Sequence, residues 1–449
     1  MTELRVITRH AGTVLVGQLA TMAFGVADTV IAGRYAPEAL ATLSVSWAIF
    51  ISIFVALQGM VQAQLPVWAQ LRGAGRKPEV GYSVRQAAYL CAAAMAVGLP
   101  ILMFPGVILH WAEVPLELRG QVQAYLGVLA LSLPPALLFR SWSTLNQALG
   151  KPLLVTWLQL ASLAVKVPLS IWFTFGGLGV PAMGLEGCAW ATVIVYYLLM
   201  LVAGWALRAS PLYHPYRIWQ RLERPDWKVL REFARLGVPT ALAVMVEVTS
   251  FTLMALFIAR LGTVAAASHQ IAANLTAVLY MMPLSLGLAI SARVSYWLGA
   301  GDDRQARVAL RLGLKLALGL ASASALLVAA GHGPLARLYA GDNPEVVATA
   351  AGLLLWVGLY HLADAMQALC VFLLRSFGVA MRPLLVYCVM LWGVGLGGGY
   401  LVAYKGVAGL GPLQSPTAFW SAGALALGLT ALIFTALLWR AVKLHRPRG

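Results

Sequence analysis

Residues 345–374 read EVVATAAGLLLWVGLYHLADAMQALCVFLL. After the opening glutamate, this run of thirty residues holds one charged side chain, Asp364. A helix that crosses the hydrocarbon core of a bilayer needs about 20 predominantly apolar residues, and the run exceeds that. It lacks the strict polar–apolar alternation of a barrel strand. It therefore reads as a membrane-spanning helix with an acid in its middle. The composition points the same way: 61% of the 449 residues are hydrophobic and 11% are charged, against about 25% charged in a typical soluble domain. A water-soluble fold of this length could not hide so much apolar surface.

Working outward on the same template predicts twelve spans, at 11–33, 42–68, 84–110, 122–142, 152–174, 181–206, 232–260, 265–297, 306–330, 345–374, 383–404 and 417–441. The first follows a short polar start and has no small-residue cleavage site, so it reads as a retained helix and not a removable signal. With the N-terminus in the cytoplasm and the spans alternating, 26 Lys and Arg fall on the inner side and five on the outer side. That asymmetry is the positive-inside rule. It predicts both termini in the cytoplasm and explains the net charge of +16 as membrane orientation, with no nucleic-acid partner. Cys91, Cys188, Cys370 and Cys388 all lie in apolar stretches without metal-ligand spacing, which argues against a disulfide framework or a zinc site.

The chain repeats itself. Leu71-Arg-Gly-Ala-Gly75 after the second span has a counterpart in Leu298-Gly-Ala-Gly301 after the eighth. Asn146 through Pro152 after the fourth matches Arg375 through Pro383 after the tenth. Two parallel repeats of six helices, with a site where they meet, are a common transporter plan. The expected organisation is an all-α integral membrane protein. One six-helix lobe covers 1–206, a cytoplasmic linker 207–230, and a second, pseudo-symmetric lobe 231–449, around a central cleft.

Three of the sixteen acids lie deep in spans: Asp28, Glu247 and Asp364. An Asp at a helix centre costs roughly 2.5–3.5 kcal/mol on insertion scales, so such residues face a protein interior or a watery path and mark ion or substrate routes. The alternative is a structural ion pair or a polar staple. Lys166, nearer the outer end of its span, either pairs with an acid or reaches toward the interface. Tyr360 and Gln367 share the helix face of Asp364, and a phenol beside carboxylates makes a hard-oxygen cation site. Span 8 carries His269, Gln270, Asn274 and Tyr280. Gln270 and Asn274 share a face, and these four are candidates for lining a substrate cavity or for helix–helix contacts. Gly393-Val-Gly-Leu-Gly-Gly398 fits GxGxxG but sits inside a span, where close helix packing explains it. No GxxxxGK[ST], HExxH or GxSxG sequence occurs, so neither a P-loop ATPase nor these enzyme classes is expected.

Several stretches together resemble the multidrug and toxic compound extrusion (MATE) family, in its NorM-like bacterial branch. They are Gly25-Val-Ala-Asp-Thr-Val-Ile-Ala-Gly-Arg34, Leu236-Gly-Val-Pro239 followed by Glu247, Leu261-Gly-Thr through Ser268-His-Gln-Ile-Ala272, and Leu298-Gly-Ala-Gly301. The resemblance implies two lobes and export of small organic cations by antiport against inward Na+ or H+, in a bacterial inner membrane. The expected partners are small organic cations and membrane lipids, the expected state is a monomer, and no cofactor is expected beyond the coupling Na+ or H+. The resemblance puts ion coupling on Asp28, Glu247, Asp364 and Tyr360, with Glu247, Asp364 and Tyr360 holding Na+ if sodium is the ion. Gln270 and Tyr280 fall on cavity positions. The rival readings are a lipid or lipid-linked sugar flippase of the same superfamily, which would want a basic cavity, and a membrane-embedded lipid enzyme.

Overall fold

The computed structural model describes residues 2–111, 114–177, 179–341, 343–406 and 411–445. Arg446 and Arg448, counted above among the inner basic residues, lie outside them. Among the described residues every regular element is helical, and the only bridge is an isolated one between Gly177 and Val180. In chain order the helices are α1 (Glu3–Tyr35), α2 (Pro37–Gln62), α3 (Leu65–Gly73), α4 (Lys77–Met103), α5 (Gly106–Trp111), α6 (Leu116–Ala130), α7 (Leu133–Ala148), α8 (Leu153–Phe175) and α9 (Leu185–Ala209). After these come α10 (Trp227–Ala259), α11 (Thr263–Gly299), α12 (Asp303–Ala340), α13 (Pro344–Ser376), α14 (Met381–Lys405) and α15 (Thr417–Leu444).

Among the described residues eleven helices are long and apolar enough to cross a membrane, with α2 and α3 counted as one, and α6 with α7, taken as one span bent by 44°, makes a twelfth. Each predicted span has a helical counterpart, but 84–110 overruns its helix: α4 ends at Met103 and Gly106–Trp111 is a separate short helix. The bend has a local cause. Pro134 and Pro135 open α7 and carry no backbone N–H, so the ladder of α6 cannot run on through them. Leu326 and Leu327 on α12 and Leu432 on α15 are roughly two-thirds or more exposed. In water that apolar surface would be costly, and against lipid it is the expected outer face of a multi-pass membrane protein.

The chain packs as two compact units, Val16–Ala241 and Met1–Leu15 with Leu242–Gly449, hereafter the N- and C-terminal units. The division falls inside α1 and α10. Glu3 explains the first: its carboxylate takes two 2.7 Å hydrogen bonds from Arg293 of α11 and one of 3.2 Å from Trp297, tying the start of the chain to the C-terminal unit. The segment before α10 is a strap lying on the N-terminal unit. Arg85 of α4 reaches Glu223 at 2.8 and 3.0 Å and also donates to the Arg217 carbonyl. Gln86 bonds both the Arg224 carbonyl and the Asp226 amide, and Tyr213 donates to Asn146. A Cβ on Gly81 would meet the Tyr216 carbonyl oxygen at 1.8 Å, so only glycine lets the strap lie this close.

The sequence repeat has a structural counterpart in the helix ends. After α3, Gly75 takes φ 74°, with Gly75 N–H on Arg72 O and Arg76 N–H on Leu71 O. After α11, Gly301 takes φ 74°, with Gly301 N–H on Leu298 O and Asp302 N–H on Trp297 O. Both are the Schellman cap, in which a left-handed glycine satisfies the last carbonyls of a helix. Gly150 and Gly378 close α7 and α13 in the same way. The Gly393–Gly398 run forms wide helical turns within α14, where a Cβ on Gly395 would meet Ala426 of α15 at 3.3 Å. Close helix packing is thus its role.

Candidate functional site

In the C-terminal unit four helices converge on a cluster of polar groups. Asp364 of α13 is buried and accepts a 2.9 Å hydrogen bond from the Gln367 amide one turn on. The Gln367 carbonyl oxygen in turn accepts from the Tyr387 hydroxyl of α14. The Glu247 carboxylate of α10 lies within the fields of Asp364 and Arg375 and within reach of Gln367. Tyr280 of α11 shares that field with Glu247, Asp364 and Arg375. Two carboxylates, two phenols and one amide therefore converge beside one guanidinium, Arg375, itself stacked 4.7 Å over the Phe372 ring. Carboxylate, phenol and amide oxygens are hard ligands that suit Na+ or a proton. Among the described residues no group of three His, Cys, Asp or Glu side chains could hold a transition metal.

Tyr360 sits in an aromatic wall beside this cluster. Its ring lies 5.4 Å from Trp420 and 5.9 Å from Phe251, and the buried His269 ring is 5.8 Å from Trp420. Gln270 and Asn274 do lie on one face and bond each other at 3.1 Å, but that face is exposed and separate from buried His269. Span 8 therefore divides: Tyr280 joins the acids, His269 joins the aromatic wall, and the Gln270–Asn274 pair joins neither.

The third predicted acid is in the N-terminal unit and has a different setting. Lys166 of α8 donates to Asp28 of α1 at 2.6 Å, both fully or nearly fully buried. Ser170 lies at 3.1 Å from the Lys166 ammonium and 3.4 Å from the Asp28 carboxylate. Of the two fates open to Lys166, pairing holds and reaching to the interface does not. Its ammonium occupies the position on Asp28 that a free cation would take.

Three participants escape sequence reading. Arg140 and Arg375 stand near span ends and count there as inner-side charges, yet both turn inward. Arg140 bonds Gln58 beside Tyr196, and Arg375 is 7% exposed. Tyr387 is an ordinary aromatic in an apolar run until its bond to Gln367 is seen.

One family model, MatE, matches residues 14–172 and again residues 239–401. The chain belongs to the MatE family. The double match also restates the internal repeat. Among curated proteins, the chain is 36% identical over 442 residues to a probable multidrug resistance protein NorM of Aromatoleum aromaticum, covering 98% of this chain and 94% of that one. It is 33% identical to the multidrug resistance protein PmpM of Pseudomonas aeruginosa, over 89% and 83% of the two chains. Among solved structures, the Vibrio cholerae MATE transporter VcmN in its bent form superimposes with a TM-score of 0.84 at 18% identity, covering 98% and 97% of the two chains. An outward-facing MATE family transporter superimposes with a TM-score of 0.87 at 14% identity, covering 99% and 96%. This MatE protein is thus a multi-pass membrane transporter of the NorM-like kind.

Proposed function

We propose that this MatE protein is a multidrug efflux antiporter that exports small organic, largely aromatic cations in exchange for Na+ or H+, by alternating access between its two halves. The observation that carries the reading is the pair Glu247 and Asp364, joined through Gln367 and outnumbering the single cation Arg375. Such a cluster attracts a positive charge and releases it when an ion or proton takes its place. Antiport requires only that ion and drug compete, or favour different states. Tyr360 and Trp420 supply aromatic faces, which attract organic cations. Asp28 takes a proton only by releasing Lys166, so the coupling role is assigned first to Glu247 and Asp364. The NorM and PmpM names of its relatives support drug export. The basic asymmetry of the loops supports an inner-membrane protein with both termini in the cytoplasm.

The test is transport in proteoliposomes. Rhodamine B ethyl ester, a permanent aromatic cation, should move against an imposed Na+ or H+ gradient, and Asp364→Asn or Glu247→Gln should abolish the movement. Full gradient-driven transport by Asp364→Asn would overturn the assignment.

A further inference from the structure

Between the end of α9 at Ala209 and the start of α10 at Trp227, the strap sorts its side chains by charge. Its two acids are Glu223 and Asp226, and α4 holds both. Arg85 reaches the Glu223 carboxylate at 2.8 Å, Tyr82 donates to Asp226 at 2.9 Å, and Tyr89 donates to the Glu223 carbonyl at 2.7 Å. Tyr213, Tyr216 and Ile218 are buried in the core of the same unit. The bases go the other way. Arg217, Arg221 and Arg224 are exposed, and Lys228, Arg231 and Arg235 continue the exposed set into the first turns of α10. Trp219 and Trp227 stand among them, 60% and 78% exposed, with Leu222. We infer that this face binds the head groups of anionic phospholipids, with the arginines on the phosphate and the tryptophans at head-group depth.

The bases are available for such a ligand. Among the described residues none of the six is in an ion pair, although Lys228 lies in the field of Asp226. Glu232 is the one fully exposed acid beside them. The inward capture of Glu223 and Asp226 matters for the same reason. On the outer side each would repel a phosphate and offset one base. Arginine holds a phosphate through two parallel N–H bonds, which a lysine cannot match.

The partner follows from the mixture of charge and aromatic surface. The strap joins two membrane-length helices, so it lies where their apolar length ends, at the level of the head groups. Tryptophan gathers at that level because its ring is apolar and its N–H polar. Clusters of Lys and Arg immediately beside a span attract anionic lipid, by about fivefold per residue. A soluble polyanion such as RNA would match the charge but leave Trp219, Leu222 and Trp227 in water. The lipid binding stands apart from what the transporter exports. The inner leaflet as its place rests on the orientation proposed above.

The experiment uses the full-length protein in detergent, titrated with phosphatidylglycerol or with zwitterionic phosphatidylcholine. Native mass spectrometry counts the bound lipid, and thermal unfolding reports its effect. The wild type should bind phosphatidylglycerol in preference and be stabilised by it. Arg221→Gln should weaken that binding by about fivefold. Arg217→Gln with Arg221→Gln and Arg224→Gln should weaken it further. Neither variant should alter phosphatidylcholine binding or the unfolding temperature without lipid. Arg304→Gln with Arg307→Gln and Arg311→Gln removes the same charge from exposed positions on α12, beside Asp302 and Asp303, and should leave phosphatidylglycerol binding unchanged. No preference in the wild type, no loss in the strap variants, or equal losses in the two triple variants would each overturn the inference. So would RNA or polyglutamate that stabilises the lipid-free protein more than phosphatidylglycerol does and loses that effect in the strap variants.

Discussion

The two units repeat one helical plan down to the glycine caps at Gly75 and Gly301, yet their buried charges differ in sign. In the C-terminal unit two carboxylates, Glu247 and Asp364, act on each other and one guanidinium, Arg375, acts on Glu247. In the N-terminal unit one carboxylate, Asp28, is closed by Lys166, and Arg140 stands without an acid. Duplication preserved what the helices need in order to pack. It did not preserve what the interiors hold. On the proposed function, the interior short of positive charge is the one that exchanges cations.

The sharpest way to break this contrast is to open the closed pair. Lys166→Met leaves Asp28 buried and alone, and should lower stability by about 3–5 kcal/mol, read as thermal unfolding in detergent. Asp28→Asn with Lys166→Met should recover most of it, because removing both partners leaves no orphan charge. An unchanged unfolding temperature in the single variant would mean the pair is not closed. Next in size, Asp364→Asn or Glu247→Gln should abolish gradient-driven dye movement, with unfolding little changed.

Two smaller effects separate packing from polar chemistry. Gly81→Ala drives a methyl into the Tyr216 carbonyl and should cost about 1–3 kcal/mol in the N-terminal unit alone, seen as earlier proteolysis of the strap. Tyr387→Phe frees Gln367 and should weaken ion binding by about fivefold, near 1 kcal/mol, measured by calorimetry. The smallest effect concerns pH. Hydrogen bonds from Arg85 hold the Glu223 carboxyl below the usual range. Its contribution is therefore present above the unfolded carboxylate value, about 4.3, and is lost as pH falls through the lower folded value. Glu223 is over a third exposed, so the clamp is worth about 0–1 kcal/mol. The difference in unfolding temperature between wild type and Glu223→Gln should be constant near neutral pH and vanish in strong acid.

The spans were legible because a bilayer imposes length and polarity on each segment separately, as in 345–374. The deep acids were legible for the same reason, since charge in such a run is rare. What the sequence hid depends on direction and on distant partners. Arg140 and Arg375 lie close enough to span ends to count as loop charges, and a linear count cannot tell which side chains turn inward. Lys166 and its partner Asp28 are 138 residues apart. The Pro, Trp and Arg content of 207–230 marks a linker, but its bonds to Arg85 and Gln86 depend on partners far off in sequence. The 44° bend between α6 and α7 was foreseeable from Pro134 and Pro135, although its size was not.

The most direct test is to count bound cations in each unit. Calorimetric Na+ titration and proton uptake, both on purified protein, would be compared between two double variants. The account predicts that Glu247→Gln with Asp364→Asn abolishes cation binding, while Asp28→Asn with Lys166→Met leaves it intact. Cation binding that survives the first pair and disappears with the second would contradict it.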